Sequence, residues 1–323
     1  MKRLFGFFAL GSILVMGSAA CGGDDDSADA AVELANPGFI LPPAGEFPVA
    51  YKEIGGVWTE QGPANFNCLG TASDDVISTE EIVLTGKTRD FQTDDIVDGV
   101  DLAVFALGAD LGGAPSATTT SNQDGDYTLN IPADLASRWA FRSTDPEDFR
   151  FLDTYLINTY FDPAAAGHPN HTEDLNSVSF LTANALPAFI GVMRTEGLGV
   201  LAGAFRDCDD NEVDGIIATV NAESCLGGGC DVENLMHLDG AQTYYFSAGS
   251  TSLPVRLSQA SSTNHDGLFV VIELPPNANS YLQAWGYATQ ADADSQTLTL
   301  IGEVPSPVLA DSIITGSMEP VRD

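Results

Sequence analysis

Short runs in which apolar and polar residues alternate recur along the chain, and Gly, Pro, Asn or Asp bounds each run. Such alternation places successive side chains on opposite faces of a strand, and no stretch keeps the 3.6-residue period of a long helix. The 32 glycines fit frequent turns. The pattern therefore predicts an all-β protein, with its clearest strands over 154–161, 216–221, 243–247, 268–274, 281–288 and 297–303.

Three sequence blocks occur twice in the same order, which predicts one domain present in two copies. The first copy reads LTGKTRD at 84–90, VDG at 97–99 and NQDGDYTLNIP at 122–132. The second copy reads LAGAFRD at 201–207, VDG at 213–215 and NHDGLFVVIELP at 264–275. In each copy the Asp-Gly pairs predict tight turns, because glycine adopts positive φ without a Cβ clash. The third block then predicts a turn, a strand and a stop at Pro.

These blocks resemble the carboxypeptidase regulatory-like domain, a seven-stranded prealbumin-like β-sandwich. Its hairpin pattern is Thr-x-x-x-Gly-x-Tyr/Phe-x-Leu-x-x-Pro, and this chain has Thr120, Gly125 and Tyr127 in the first copy and Thr263, Gly267 and Phe269 in the second. Family members usually have Gly after the hairpin Pro, whereas this chain has Ala133 and Pro276. The resemblance implies two tandem Greek-key β-sandwiches, at 76–162 and 197–318. It also implies no catalysis, because this domain is the non-catalytic appendage of the peptidases that name the family.

The first twenty residues predict an export signal. Lys2 and Arg3 precede an apolar stretch at 4–16 that is too short to span a bilayer, and small residues lead to Cys21. The pattern resembles a bacterial lipoprotein signal, in which Cys21 is acylated, and Gly22 after it favours the outer membrane. The alternative is ordinary secretion with cleavage after residue 20. Acyl chains on Cys21 would anchor the protein to the membrane.

The rest of the chain divides by composition. We expect a flexible tether at 21–50, because it is polar and interrupted by Pro, and a lead-in segment at 51–75. Residues 163–196 are expected to form a linker and an apolar connector. We predict that the connector, 175–193, packs at the junction of the sandwiches while 162–174 loops out, since its apolar surface is too large to leave in water.

Four cysteines besides Cys21 predict two disulfides in an exported protein: Cys68, Cys208, Cys225 and Cys230. The Gly-rich segment between Cys225 and Cys230 can close on itself, which favours Cys68–Cys208 as the second bond. The pairing of Cys208 with Cys225 and of Cys68 with Cys230 is also open.

The formal net charge of −34 disfavours nucleic acid as a partner, because phosphate backbones are repelled. It favours either plain solubility or cation binding. An acidic segment with Asp207, Asp209, Asn211 and Asp214 suggests calcium, but it lacks the Gly and Glu positions of an EF-hand loop, so the alternative is a solvated turn. His168 and His171 would need Glu173 or Asp174 as a third ligand for zinc.

One strand offers an aromatic face for sugar stacking: Tyr281, Trp285 and Tyr287. The alternative is that these rings belong to the core. No nucleophile elbow, zinc-protease helix motif or phosphate loop occurs in the sequence. We therefore expect a non-catalytic binding or structural protein of the cell envelope with no cofactor beyond possible calcium. The alternatives are a carbohydrate- or surface-polymer-binding module and an enzyme with an unrecognised active site.

Overall fold

The computed structural model describes residues 39–147, 150–226, 230, 237–248 and 253–322. The predicted signal, the acylation site Cys21 and the tether up to residue 38 lie outside these residues. None of the described helices is both long and apolar enough to cross a membrane.

Strands dominate the described residues, with two short helices. In chain order the elements are β1 (Val49–Ile54), β2 (Val57–Pro63), β3 (Ile82–Asp90), β4 (Asp101–Ala106), β5 (Ala117–Thr120), β6 (Asp126–Ile131), β7 (Arg138–Thr144), β8 (Phe151–Leu152), β9 (Thr154–Tyr160), β10 (Asn170–Thr172), β11 (Leu175–Ser179), α1 (Phe180–Phe189), β12 (Gly199–Phe205), β13 (Glu212–Val213), β14 (Ile217–Asn221), β15 (Gln242–Phe246), β16 (Pro254–Val255), β17 (Leu268–Leu274), β18 (Tyr281–Gly286), α2 (Gln290–Ser295), β19 (Thr299–Pro305) and β20 (Ile313–Met318).

Two β-sandwiches follow one another along the chain, as the sequence predicts. In the first, β3 pairs with β6, β10 and β11, and this small sheet faces strands β5-β4-β7-β9. Leu84, Tyr127 and Trp139 lie in the core between them. In the second, the small sheet β14-β18-β19 faces strands β16-β15-β17-β12-β20, with Phe205 and Phe269 in the core.

The two sandwiches share one nine-stranded sheet. The last strand, β20, pairs in parallel with β12 on one side and with β9 on the other, from Ile313 opposite Thr154 to Gly316 opposite Ile157. One hydrophobic cluster accordingly contains both Phe105 of the first sandwich and Phe205 of the second. The sandwiches are therefore fused edge to edge.

The internal repeat corresponds to equivalent strand pairs. β3 pairs antiparallel with β6 and β12 with β17, so that Gly86 lies opposite Tyr127 and Gly203 opposite Phe269. A Cβ on Gly203 would come within 2.6 Å of the Phe269 ring, which explains a small residue at this register. In each repeat, the aromatic ring of the third block therefore packs over the glycine of the first block.

The connector packs at the junction, and part of the linker is ordered. β11 adds to β3, and α1 begins after the N-cap Ser179, whose hydroxyl accepts a hydrogen bond from the Thr182 amide. Val178 and Ile190 lie in a cluster with Val200 and Ile272 of the second sandwich. The expectation that all of 162–174 loops out is wrong, because β10 pairs with β3.

The predicted tether is also shorter than 21–50. Residues from 39 onward pack on the second sandwich: the Pro42 carbonyl accepts a hydrogen bond from the Tyr287 hydroxyl at 2.7 Å, and the Gly45 amide donates to the Ala293 carbonyl. β1 then begins at Val49. Pro residues in this segment therefore stop regular structure without preventing packing.

Both favoured disulfides are present. Cys68–Cys208 joins the lead-in segment to the second sandwich across 140 positions, and Cys225–Cys230 closes a loop of five. The Cys208 amide also donates to the Asn65 carbonyl, so backbone contacts support the longer cross-link.

Candidate functional site

A two-stranded hairpin in the lead-in segment exposes apolar and charged side chains to solvent. β1 and β2 pair up to Ile54 and Val57, and Gly55 and Gly56 form the turn with φ of 64° and 83°. Two positive φ values fit a type I′ turn, whose twist matches the strands. Ile54 and Val57 are 59% and 64% exposed, and β2 is the edge strand of its sheet.

An aromatic group lies on one face of this hairpin. The His265 ring of the second sandwich packs edge to face with Trp58 at 5.3 Å and with Tyr51 at 6.1 Å. Glu53 lies opposite Trp58 and Glu60 opposite Tyr51, so both exposed carboxylates belong to the same face. We call these five residues the hairpin platform.

The hairpin platform is acidic, and the phenol of its Tyr51 stays protonated. Burial, followed by the charges of Asp214 and Glu60, raises the pKa of Tyr51. The Tyr51 hydroxyl is therefore a hydrogen-bond donor at neutral pH. Half-buried rings, carboxylate acceptors and a hydroxyl donor suit a neutral polyhydroxylated ligand better than an anion.

The aromatic run predicted to bind sugar lies in the core instead. Trp285 is 3% exposed and donates from Nε1 to the Thr219 hydroxyl, while Tyr287 is fully buried beneath Pro42. Tyr281, the third residue of the run, begins the same strand and is partly buried. Trp285 and Tyr287 are therefore not available for stacking on a ligand, because residues 39–47 and α2 cover them.

The acidic segment forms a capped turn. Asp207 is buried, and one of its carboxylate oxygens accepts hydrogen bonds from the backbone amides of Asp209 and Asn211. Its other oxygen accepts from the Asn65 amide, and Asp214 accepts from the Val49 amide at 2.6 Å. These carboxylates are turned toward backbone donors, and within the described residues no three His, Cys, Asp or Glu side chains form a metal-binding group. Asp207 and Asp214 are thus held by backbone amides in this structure, and calcium at this segment stays a prediction.

An open cleft of about 430 Å³ lies on the nine-stranded sheet, at the end distant from the second sandwich. Its lining includes seven polar residues: Asp101, Thr118, Thr119, Thr120, Arg142, Thr144 and Asp153. The Arg142 guanidinium lies over the Phe105 ring at 5.5 Å. The cleft has room for a small polar group but presents no exposed ring for stacking.

Ser78 lies beside His168 and His171 in the structure, although it is 90 positions from His168 in the sequence. Ser78 Oγ lies 3.1 Å from His168 Nε2, and His168 Nδ1 lies 3.2 Å from His171 Nε2. Ser78 is buried, and its hydroxyl oxygen also contacts both backbone groups of Glu80. These contacts hold the serine in a turn and do not present it as a nucleophile.

The hairpin platform was not predicted from the sequence, although a signal for it exists. The segment reads YKEI, GG, VWTEQ, which is a two-glycine turn between short strands. Its aromatic residues are separated by seven positions, and their common neighbour His265 comes from the second repeat. Sequence distance therefore hides the group even when the hairpin is recognised.

Comparisons with known proteins give neither a family nor a curated relative: no family description and no curated protein matches the chain. Solved structures with partial likeness include the shaft pilin SpaA of Lactobacillus rhamnosus GG, at 14% identity over 76% of this chain and 98% of that chain, with a TM-score of 0.22. A putative cell adhesion protein of Bacteroides eggerthii is 13% identical over 76% and 88%, with a TM-score of 0.22.

A 9R-lipoxygenase of Cyanothece is 10% identical, and the likeness covers 34% of this chain and 18% of that chain, with a TM-score of 0.20. At these scores the likenesses carry no argument about function, which therefore has to come from the site.

Proposed function

We propose that this chain is an exported, lipid-anchored and non-catalytic binding protein of the cell envelope, and that it holds a neutral carbohydrate or surface polymer on the hairpin platform. The observation that carries the proposal is the contact of Tyr51 and Trp58 with His265 beside two exposed carboxylates. Lipid attachment would be at Cys21, with the outer membrane favoured.

The chemistry of the platform matches a sugar ring on two counts. An aromatic face packs against the apolar C–H face of a pyranose, and carboxylates accept hydrogen bonds from its hydroxyls. The acidic balance of the chain opposes anionic polymers. A neutral polysaccharide avoids that repulsion and still uses Glu53 and Glu60.

The platform is also held rigidly. β1 pairs with β13, the Val49 amide donates to Asp214, and Cys68–Cys208 ties the segment after the hairpin to the second sandwich. A preformed surface binds without the entropy cost of ordering a loop. The nine-stranded sheet that the two sandwiches share would transmit mechanical force from a bound polymer through both sandwiches, which fits a structural role as well.

A glycan array of neutral oligosaccharides, followed by calorimetry on the full chain in detergent, tests the proposal. We expect Trp58→Ala to weaken binding at least tenfold, because the stacking surface is removed. Arg142→Ala, in the sheet cleft, is the matched control and should bind like the wild type. Loss of binding in the Arg142 variant alone would move the site to the cleft, and a wild type that binds no neutral glycan would overturn the proposal.

The anchor has its own test. Cys21→Ser should move the protein from the detergent phase to the aqueous phase of a detergent partition, because no acyl chain can be attached. A wild type that stays in the aqueous phase would contradict lipid attachment. A broad hydrolase panel tests the alternative that the chain is an enzyme.

A further inference from the structure

Two histidine rings at the start of β10 share a hydrogen bond between their ring nitrogens. His168 Nδ1 lies 3.2 Å from His171 Nε2, and the ring centroids are 5.5 Å apart at an interplanar angle of 68°. A tetrahedral zinc ion with zinc–nitrogen bonds of about 2.0–2.1 Å holds two ligand nitrogens about 3.3 Å apart. The observed separation is close to that value.

The remaining nitrogen of His168 is fixed, as it is in metal sites. His168 Nε2 contacts Ser78 Oγ, and Ser78 is itself held by the Glu80 backbone. A partner on the second ring nitrogen orients a histidine ligand and sets its tautomer. The other ring, His171, packs on Phe161 at 4.9 Å, which restricts its rotation.

The neighbouring carboxylates differ in their availability. Asp174, which the sequence suggested as a third ligand, instead accepts from the Lys87 amide and pairs with Arg89 at 2.7 Å. Asp162 is exposed, and one of its carboxylate oxygens accepts a hydrogen bond from the Ala164 amide. The two histidines are therefore the protein ligands that the geometry provides.

We propose that His168 Nδ1 and His171 Nε2 bind one divalent late first-row metal ion, with zinc as the expected occupant and water completing its coordination. Imidazole suits Zn²⁺, Cu²⁺ and Ni²⁺, and the geometry provides two of the four positions of a zinc site. This site is separate from the hairpin platform and does not depend on the proposed function.

Metal titration of the untagged, chelator-treated full chain in detergent tests the site. We expect one Zn²⁺ per chain by calorimetry and a higher melting temperature with zinc, because the ion binds only the folded arrangement. Cu²⁺ in its place should give an electron paramagnetic resonance spectrum with two coupled nitrogens. His171→Asn should abolish both signals, whereas His265→Asn, which changes the hairpin platform, should bind metal like the wild type.

A milder variant protects the test against misfolding. Ser78→Ala keeps both ligands and removes only the group that orients His168, so zinc affinity should fall 10- to 100-fold while one ion still binds. Zinc binding that is equal in the wild type and in His171→Asn would overturn the proposal. A wild type that binds no zinc, or whose copper spectrum shows a single nitrogen, would overturn it as well.

Discussion

At the residue scale, His237 is the buried titratable group with the clearest consequence for stability. It is 4% exposed, accepts a hydrogen bond from the Val220 amide through Nδ1 and contacts the Thr243 hydroxyl through Nε2. Burial lowers its pKa from 6.5 to about 4. The ring is therefore neutral in the folded protein over a pH range in which the unfolded chain is protonated.

We predict that this histidine makes the protein less stable in mild acid. As the pH falls from 6.5 to about 4, the unfolded state takes up a proton on His237 that the folded state does not. The free energy of unfolding therefore decreases across that pH range. Near pH 4.5 the loss should be about 2–3 kcal/mol, from 1.36 kcal/mol per pKa unit. Urea unfolding at pH 7.5 and pH 4.5 measures it.

The control for this prediction is His237→Asn, which keeps an acceptor for the Val220 amide and cannot be protonated. Its free energy of unfolding should fall less between the two pH values than that of the wild type. Other groups titrate equally in both proteins, so the difference isolates the histidine. Parallel stability curves for the two proteins would contradict the prediction.

The types of residue along the chain predict the buried core better than they predict the hairpin platform. Alternation correctly places Trp285 in a strand, but it does not say whether a segment elsewhere covers the outer face of that strand. Residues 39–47 do so, although their Pro content predicts a tether. Composition therefore gives the wrong bound for the tether, whereas the core interpretation of Trp285 agrees with its burial.

At the scale of elements, the repeat was the strongest signal in the sequence. The strand predicted at 268–274 agrees with β17, and the paired glycine and aromatic positions recur in both sandwiches. One correspondence between the repeats shifts by a residue, because Ser121, and not Thr120, is the structural equivalent of Thr263. The hydroxyls of Ser121 and Thr263 each accept a hydrogen bond from the backbone amide that follows the Asp-Gly turn of the second block. The sequence therefore predicts the turns themselves but not which hydroxyl caps them.

The two disulfides should contribute unequally to stability. A cross-link removes more entropy from the unfolded chain when it closes a longer loop. On this loop-entropy estimate, Cys68–Cys208 is worth about 5 kcal/mol and Cys225–Cys230 about 2 kcal/mol. We therefore predict that the Cys68→Ala/Cys208→Ala double variant melts well below the Cys225→Ala/Cys230→Ala double variant.

Paired removal is needed, since a single replacement leaves a reactive thiol. Thermal unfolding of both double variants under the same non-reducing conditions gives the comparison. A lower melting temperature for the variant that lacks Cys225 and Cys230 would show that local order around the short loop outweighs loop length.

At the scale of the whole molecule, the shared sheet could not be predicted. A strand pattern identifies β20 as a strand but says nothing about its partners, and here one partner is β9, about 160 positions earlier. Edge strands normally need protection from further pairing. In this fold, an edge of each sandwich is covered by the other sandwich, which makes the pair one body.

The apolar content of the connector predicts that it packs, and the structure agrees in part, because Leu181, Phe189 and Met193 stay exposed. Val178 and Ile190 contact the second sandwich while β11 belongs to the first. The connector and β20 thus join the sandwiches on two sides. Such an arrangement predicts that the described body unfolds in one cooperative transition and not domain by domain.

Gly316 allows this coupling to be tested. A Cβ at this position would come within 2.8 Å of Ile157 Cγ1 and 3.0 Å of the Ile157 carbonyl oxygen, so alanine must push β20 away from β9. Overpacking of this kind costs about 1–3 kcal/mol. We predict that Gly316→Ala lowers stability and separates the unfolding of the two sandwiches, as measured by hydrogen exchange and mass spectrometry across a denaturant series.

The wild type should lose protection in peptides from β7 and from β17 at the same denaturant concentration, whereas the Gly316 variant should show two midpoints. Ser317→Ala is the matched control, because Ser317 is the next residue on β20 and its backbone carbonyl, which accepts from Asn158, is retained. That control should unfold like the wild type. If the wild type already shows two separate midpoints, the shared sheet does not couple the sandwiches, since pairing through β20 would then add too little free energy to hold them together.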